Sequence, residues 1–219
     1  MEHIAIIDMG SNSIRFVIAQ IKDNKAYSFV YQDKETIRLG QGLSRTGSLT
    51  EEGMAKALKS LHVYKHIMDI KGIKKAFITL HCGLGNFHDI EVEDLTKHKM
   101  DSEEMHINAD ACRIANGAKQ AGHRLCAVGA SVVKATETAV GTDGMLKEYD
   151  GWTNEFIFPP YNFGFADSML VNFYHPYSTL LMETAAFGGY DLVMEAYDKA
   201  VKNGYMFGCF GDSLLILND

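Results

Sequence analysis

LCAVGASVVKATETAV, residues 125–140, is the stretch that decides the fold. Leu125 to Val128 reads as a short apolar strand, Gly129 as the turn that ends it, and Ser131 as the opening of a helix running to about Val140. A strand feeding a helix through one glycine is the unit from which α/β domains are built. Upstream, Asn108 is placed to cap a helix reaching Gly122, with Ala111, Ile114, Ala115 and Ala118 on one face. Downstream, Phe156 to Phe158 and Ser168 to Phe173 read as strands, and a helix begins near Ser178. A further helix runs from Asp191 to Asn203 with Leu192, Ala196, Tyr197, Ala200 and Val201 turned inward. Tyr205 to Leu217 reads as a strand pair around Gly211-Asp212. Alternating strands and helices predict an α/β architecture.

The first third has a different rhythm. His3 to Asp8, Ile14 to Ile21 and Ala26 to Gln32 are apolar runs separated by polar and glycine punctuation, which predicts a three-strand meander. Leu39 to Ser48 reads as loop. Thr50 caps the next helix, with Glu51 and Glu52 in its first turn. Met54, Leu58, Leu61, Tyr64 and Met68 recur at helical spacing as an apolar stripe, and Gly72 ends the helix. Lys75 to Cys82 reads as a buried strand.

The 219 residues suffice for one large domain or two small ones, and 47% hydrophobic with 22% charged residues is ordinary globular composition. No apolar run approaches the ~20 residues that cross a bilayer. The start has no basic region followed by a small-residue cleavage site. A cytoplasmic protein with no membrane association is expected. Cys82, Cys112, Cys126 and Cys209 show no CxxC spacing, which fits reduced thiols. The helical pair His62 and His66 lacks a third ligand, so no metal site is expected. Charge is lopsided. Residues 1–78 carry 12 Lys and Arg against 8 Asp and Glu, net +4, whereas residues 79–219 carry 9 against 20, net −11. An acidic part repels a nucleic-acid backbone unless its basic residues cluster.

IAIIDMGSNSIRFVIAQI (4–21), followed by KETIRLGQGLSRTGSLTEEGMAKAL (34–58), resembles the opening of the exopolyphosphatase/guanosine-pentaphosphate phosphatase branch of the actin-like ATPase superfamily. The resemblance runs to about residue 78. It implies a partial actin-like lobe in which Asp8, Gly10, Ser11, Asn12, Ser13 and Arg15 bind phosphate. Backbone N–H groups and Ser hydroxyls would meet the phosphate oxygens, and Asp8 would hold Mg2+ through water. The second phosphate loop and second lobe of that family are not visible.

From Thr79 the chain resembles the C-terminal half of the S-adenosylmethionine:tRNA ribosyltransferase-isomerases of queuosine biosynthesis. The resemblance is carried by TLHCGLGNF (79–87), HKMDSEEMHI (98–107), AVGASVVKATET (127–138), GWTNEFIFPPYNF (151–163), VNFYHPYSTLLM (171–182) and FGDSLLIL (210–217). It implies part of an α/β barrel-like domain. It also implies S-adenosylmethionine as a ribosyl donor and tRNA as the acceptor, at a 7-aminomethyl-7-deazaguanine that becomes epoxyqueuosine. The sulfonium acidifies the neighbouring C5′ hydrogens, so a positioned base can start the rearrangement. His81 and His98 are candidate acid–base groups. Glu103, Glu137 and Asp212 are candidate carboxylates for a ribose or the sulfonium, Glu103 with a catalytic role. Gly83 and Gly85 allow close approach of backbone to a ligand. Asn172, Ser178 and Thr179 lie at a strand-to-helix junction, where α/β folds bind ligands. Ser178 or Thr179 can equally serve only as a helix cap, and Asp212 only as a turn residue. Asp101, Lys134, Tyr174 and Tyr177 stand where that family usually has His, Arg, His and Lys, so acid–base capacity and charge are altered at polar positions.

A join inside the 75–82 strand would make the two parts share a sheet. The family's N-terminal portion, with its β-rich inserted domain, is not visible, so an incomplete enzyme is expected, with the phosphatase-like part filling the gap sterically. Three readings stand at this point: a ribosyltransferase-isomerase, a phosphate-binding module, and an inactive fusion or truncated scaffold.

Overall fold

The computed structural model describes residues 2–9, 12–22, 26–87, 89–208 and 211–218. The chain divides into two compact units, Met1–Lys75 and Ala76–Asp219.

In the first unit, β1 (Glu2–Met9), β2 (Ser13–Ile21) and β3 (Tyr27–Thr36) form the expected antiparallel meander in the order β1-β2-β3. On β2, Ile14, Phe16 and Ile18 are buried and Arg15 is exposed, the period-2 alternation of a strand with one covered face. At Ile18/Ala19 the register with β3 slips and Val30 is left without an opposite residue. Burial changes parity there, and Ala19 and Ile21 become the buried residues. A four-residue helix, α1 (Leu43–Thr46), occupies the stretch read as loop, between Gly42 and Gly47, both in the left-handed region.

Helix α2 (Glu51–Ile70) begins as expected, with Thr50 Oγ1 accepting the Gly53 N–H at 3.1 Å. Its inner face keeps Tyr64 and Met68 of the predicted stripe, with Leu61 packed against the core, and differs from it near the helix start. Gly53, Ala57, Ser60, Tyr64 and Met68 are buried, while Met54 and Leu58 are 40% and 56% exposed. Close approach decides this. A Cβ on Gly53 would stand 3.4 Å from the Leu39 backbone, so small residues face inward near the helix start. Farther along, Tyr64 packs its ring on Phe16 at 4.6 Å. The core is Ile14, Phe16, Ile18, Ile37, Ala57, Tyr64 and Met68.

The second unit has two three-stranded sheets. One joins β4 (Thr79–Leu80), β5 (Glu103–Ile107) and β7 (Tyr149–Thr153), all antiparallel. The other joins β6 (Cys126–Val128) and β8 (Ser168–Asn172) in parallel, with β9 (Ser213–Leu217) antiparallel to β8. Helices α3 (Ala109–Gln120), α4 (Ala130–Ala139), α5 (Thr179–Gly188) and α6 (Tyr190–Lys202) complete it. Asn108 caps α3 by accepting the Ala111 N–H at 2.8 Å, and Gly129, at φ 104°, makes the β6–α4 turn. The architecture is mixed α/β, with small sheets and helices.

Several expectations are corrected. The predicted strand 75–82 reduces to Thr79–Leu80, which pairs with β5 and is in a separate sheet from the meander. The two parts therefore do not share a sheet. Residues 73–78 find no strand partner among the described residues, and Phe77 is 77% exposed. Phe156 to Phe158 is irregular; Ile157 is core and the two flanking rings stack at 4.9 Å. Residues 205–208 form no strand, because Met206 N–H is tied instead to the Asp212 carboxylate at 2.8 Å. On α6 the buried residues are Val193, Tyr197 and Ala200, while Leu192 and Val201 are exposed. Strands β5 and β7 were not legible as elements. The cores of this unit gather around Met169, Val133 and Phe173 on one side and Met105, Ile107 and Ala135 on the other.

Candidate functional site

Glu103 opens β5 with its side chain inward, 2% exposed. Lys134, on the second turn of α4, reaches it: Nζ lies 2.7 Å from Glu103 Oε2. The other oxygen, Oε1, accepts the Gly83 N–H at 2.7 Å and the Asn86 amide at 2.6 Å. Asn86 is buried, and its Oδ1 lies 3.5 Å from Lys134 Nζ. The ion pair is thus buried with both carboxylate oxygens engaged, as a buried pair must be if desolvation is to be offset.

This cluster lines a cavity of about 190 Å3 together with Cys82, Gly129, Ala130, Ser131, Asn172, Tyr174, Leu180 and Glu183. Gly129, Ala130 and Ser131 belong to the β6–α4 turn, so the stretch that decides the fold also builds one wall. Asn172 closes the end of β8, donating to the Gly211 carbonyl at 3.2 Å.

Glu183 supplies the unusual group. It is 4% exposed on α5, and its Oε1 has no hydrogen-bond partner among the described residues. Burial pushes its carboxyl well above the usual carboxylate range; Lys134 opposes that shift and Glu103 and Glu137 add to it. The Cys82 thiol is pushed up by burial and by Glu103. Burial and the Glu183 charge push the Tyr174 phenol up to about 12. Neutral groups are therefore favoured around one ion pair, with one carboxyl left without a cation of its own.

Of the candidate site residues named from sequence the cavity brings together Glu103 and Asn172, with Lys134 and Tyr174 from the positions where the family usually has Arg and His, and Gly83 supports it through its bond to Glu103. Gly85 lies beside Asp101, whose carboxylate is 2.7 Å from where a Cβ would stand. His81 is exposed and bonds by its backbone to Glu104; His98 stacks on Phe156 at 4.7 Å; neither lines the cavity. Glu137 accepts the Gly164 and Phe165 N–H groups at 2.8 and 3.1 Å, and burial outweighs those bonds to raise its carboxyl. Ser178 is the α5 cap, accepting the Leu181 N–H at 3.2 Å. Thr179 is buried with Oγ1 unpartnered among the described residues, and it does not line the cavity. Asp212 makes the turn to Met206.

In the first unit, Asn12 is exposed and its carbonyl accepts the Ile37 and Arg38 N–H groups. Ser13 starts β2, and Arg15 is exposed opposite Asp8 and Lys34. Gly10, Ser11 and the Asp8 side chain lie outside the described residues. Among the described residues no three His, Cys, Asp or Glu side chains are grouped to hold a metal ion. No described helix is long and apolar enough to cross a membrane.

Sequence reasoning missed Asn86 and Glu183. The signal for Glu183 was present: it is the one carboxylate inside the otherwise uncharged helix TLLMETAAFG.

Residues 6–216 match the family model described as queuosine biosynthesis protein. An S-adenosylmethionine:tRNA ribosyltransferase-isomerase of Phocaeicola vulgatus is 66% identical over 151 residues, 69% of this chain and 43% of that protein. The crystal structure of an S-adenosylmethionine tRNA ribosyltransferase from Thermotoga maritima matches with TM-score 0.58 and 35% identity, covering 71% of this chain and 49% of that one. The chain spans about half the length of the curated relatives it matches. An Aquifex aeolicus Ppx/GppA phosphatase matches 34% of the chain at 32% identity and TM-score 0.32. So slight a likeness leaves the phosphatase resemblance resting on its sequence motifs.

Proposed function

The chain belongs to the queuosine biosynthesis protein family, and from that premise we propose that its second unit binds S-adenosylmethionine in the Glu103–Lys134–Glu183 cavity and serves ribosyl transfer to tRNA. The observation that carries this is the cavity itself. A buried ion pair, a buried amide and a carboxyl whose Oε1 has no partner among the described residues converge at a strand-to-helix turn, within the part that resembles the ribosyltransferase-isomerases. A structural core gains little from such a cluster, since apolar residues of similar volume usually serve stability as well or better.

At about 190 Å3 the cavity is smaller than the roughly 300–1,000 Å3 of ligand pockets, so it receives one end of the molecule. Glu103 positions Lys134, whose third N–H donor meets a polar group of the ligand, and Asn172 supplies an amide at the cavity wall. tRNA is the acceptor in this reading. The net charge of −11 over residues 79–219 gives its backbone no attraction of its own.

The test is a thermal melt of the full chain with S-adenosylmethionine at about 100 times Kd, which should stabilise the fold by about 2.7 kcal/mol. Adenine release in the presence of tRNA is then followed by chromatography. Polyphosphate with Mg2+, the ligands called for by the phosphatase resemblance, serves as control. A shift with polyphosphate and none with S-adenosylmethionine would reverse the assignment.

A further inference from the structure

We infer that the cavity takes a small cationic group, an ammonium or a sulfonium, and that Glu183 is its counter-charge. The cavity holds two carboxyl groups and one lysine. Lys134 is committed to Glu103 at 2.7 Å, and the second oxygen of Glu103 is engaged by Gly83 and Asn86. Glu183 lines the same cavity, is buried, and leaves Oε1 with no partner among the described residues. The ionisable groups that face it are Lys134 and Glu137 from α4, Glu103 from β5, and the Tyr161 and Tyr174 phenols. Only one of these is a cation. An anionic ligand would add negative charge beside three carboxyl groups, whereas a cation completes a second ion pair.

Without ligand, burial favours the neutral form of Glu183. When the cation enters, the carboxyl proton leaves to solvent and the carboxylate pairs with the incoming charge, so the cavity gains no net charge. Each cation bound releases one proton, and affinity rises up to tenfold per pH unit while Glu183 is protonated in the free protein. The inference rests on the reading above in one respect: S-adenosylmethionine carries both an ammonium and a sulfonium.

The experiment titrates the full chain with trimethylsulfonium chloride and ethylammonium chloride, against dimethyl sulfide, ethanol and sodium chloride. Melting temperature and proton release are the readouts. At least one cation should raise the melting temperature beyond its neutral counterpart and beyond sodium chloride, with proton release. That response should vanish in Glu183→Gln and Glu183→Leu. Unliganded, both variants should melt no lower than wild type, because a buried orphan carboxyl has been removed; if the leucine variant fails to fold, the isosteric glutamine variant carries the test. No cation response in the wild type, or an equal response in Glu183→Gln, would overturn the inference. Comparing S-adenosylmethionine with S-adenosylhomocysteine, which keeps the ammonium but has no sulfonium, then separates the two sources. A small cation that binds where S-adenosylmethionine does not would sink the proposed function and leave the cation site standing.

Discussion

Tyr64 in the first unit and Lys134 in the second are both packed side chains, and their polar ends are treated in opposite ways. Tyr64 buries its ring against Phe16 and sends its hydroxyl 2.8 Å to Asp33, a half-buried residue with access to water. Lys134 ends on Glu103, which is as buried as the lysine itself. Around Tyr64 the core is otherwise apolar. Around Lys134 it contains Asn86, Glu103 and Glu183. The first arrangement is what stability alone selects, because a polar tip that reaches water costs little to pack. The second has a high desolvation cost, and this is the ground on which a ligand site is proposed there.

The comparison breaks most visibly at the ion pair. Lys134→Met should cost about 3–5 kcal/mol by leaving Glu103 buried without its cation, and adding Glu103→Gln should recover much of the loss. Urea unfolding followed through Trp152, the one tryptophan, reads the second unit directly. Tyr64→Phe should cost about 2 kcal/mol, because only a hydrogen bond to a charged acceptor is removed and Asp33 can turn to water. Amide resonances of β2 would report that change. A Tyr64→Phe penalty as large as that of Lys134→Met would erase the distinction between the two cores.

Acidity separates the units next. The folded-state pKa of Glu183 is raised, so its contribution is fully present below the unfolded value near 4.5 and is lost as pH rises above it. The second unit should therefore lose up to about 1.4 kcal/mol per pH unit from this group until it is ionised in the folded state as well. Glu137 acts in the same direction. Glu183→Gln should flatten that slope. The smallest effects should be equal in both units. Thr50→Ala and Asn108→Ala each delete one cap and should each cost about 1 kcal/mol, seen as reduced helix content before the main transition.

What could be read from sequence follows the range of the interactions involved. The meander, the Thr50 and Asn108 caps and the Gly129 turn were legible because each depends on neighbours in the chain. Tyr64 and Met68 on α2 were legible too, but the start of its inner face was not, because Gly53 faces inward where the backbone of Leu39 approaches. The strand read at 75–82 fails for a similar reason, since an apolar run needs a partner edge to become a strand. Glu103 was legible as a candidate from its block. Glu183 acquires meaning only when α5 brings it to the cavity that β5 and α4 also line.

Hydrogen exchange of the full chain, with and without S-adenosylmethionine and resolved by residue, tests the assignment of the site most directly. Slowed exchange confined to Gly83, Asn86, the 129–134 turn and α5, with β1–β3 unchanged, is the expected result. Protection centred on β1–β3, or none anywhere at saturating ligand, would contradict it.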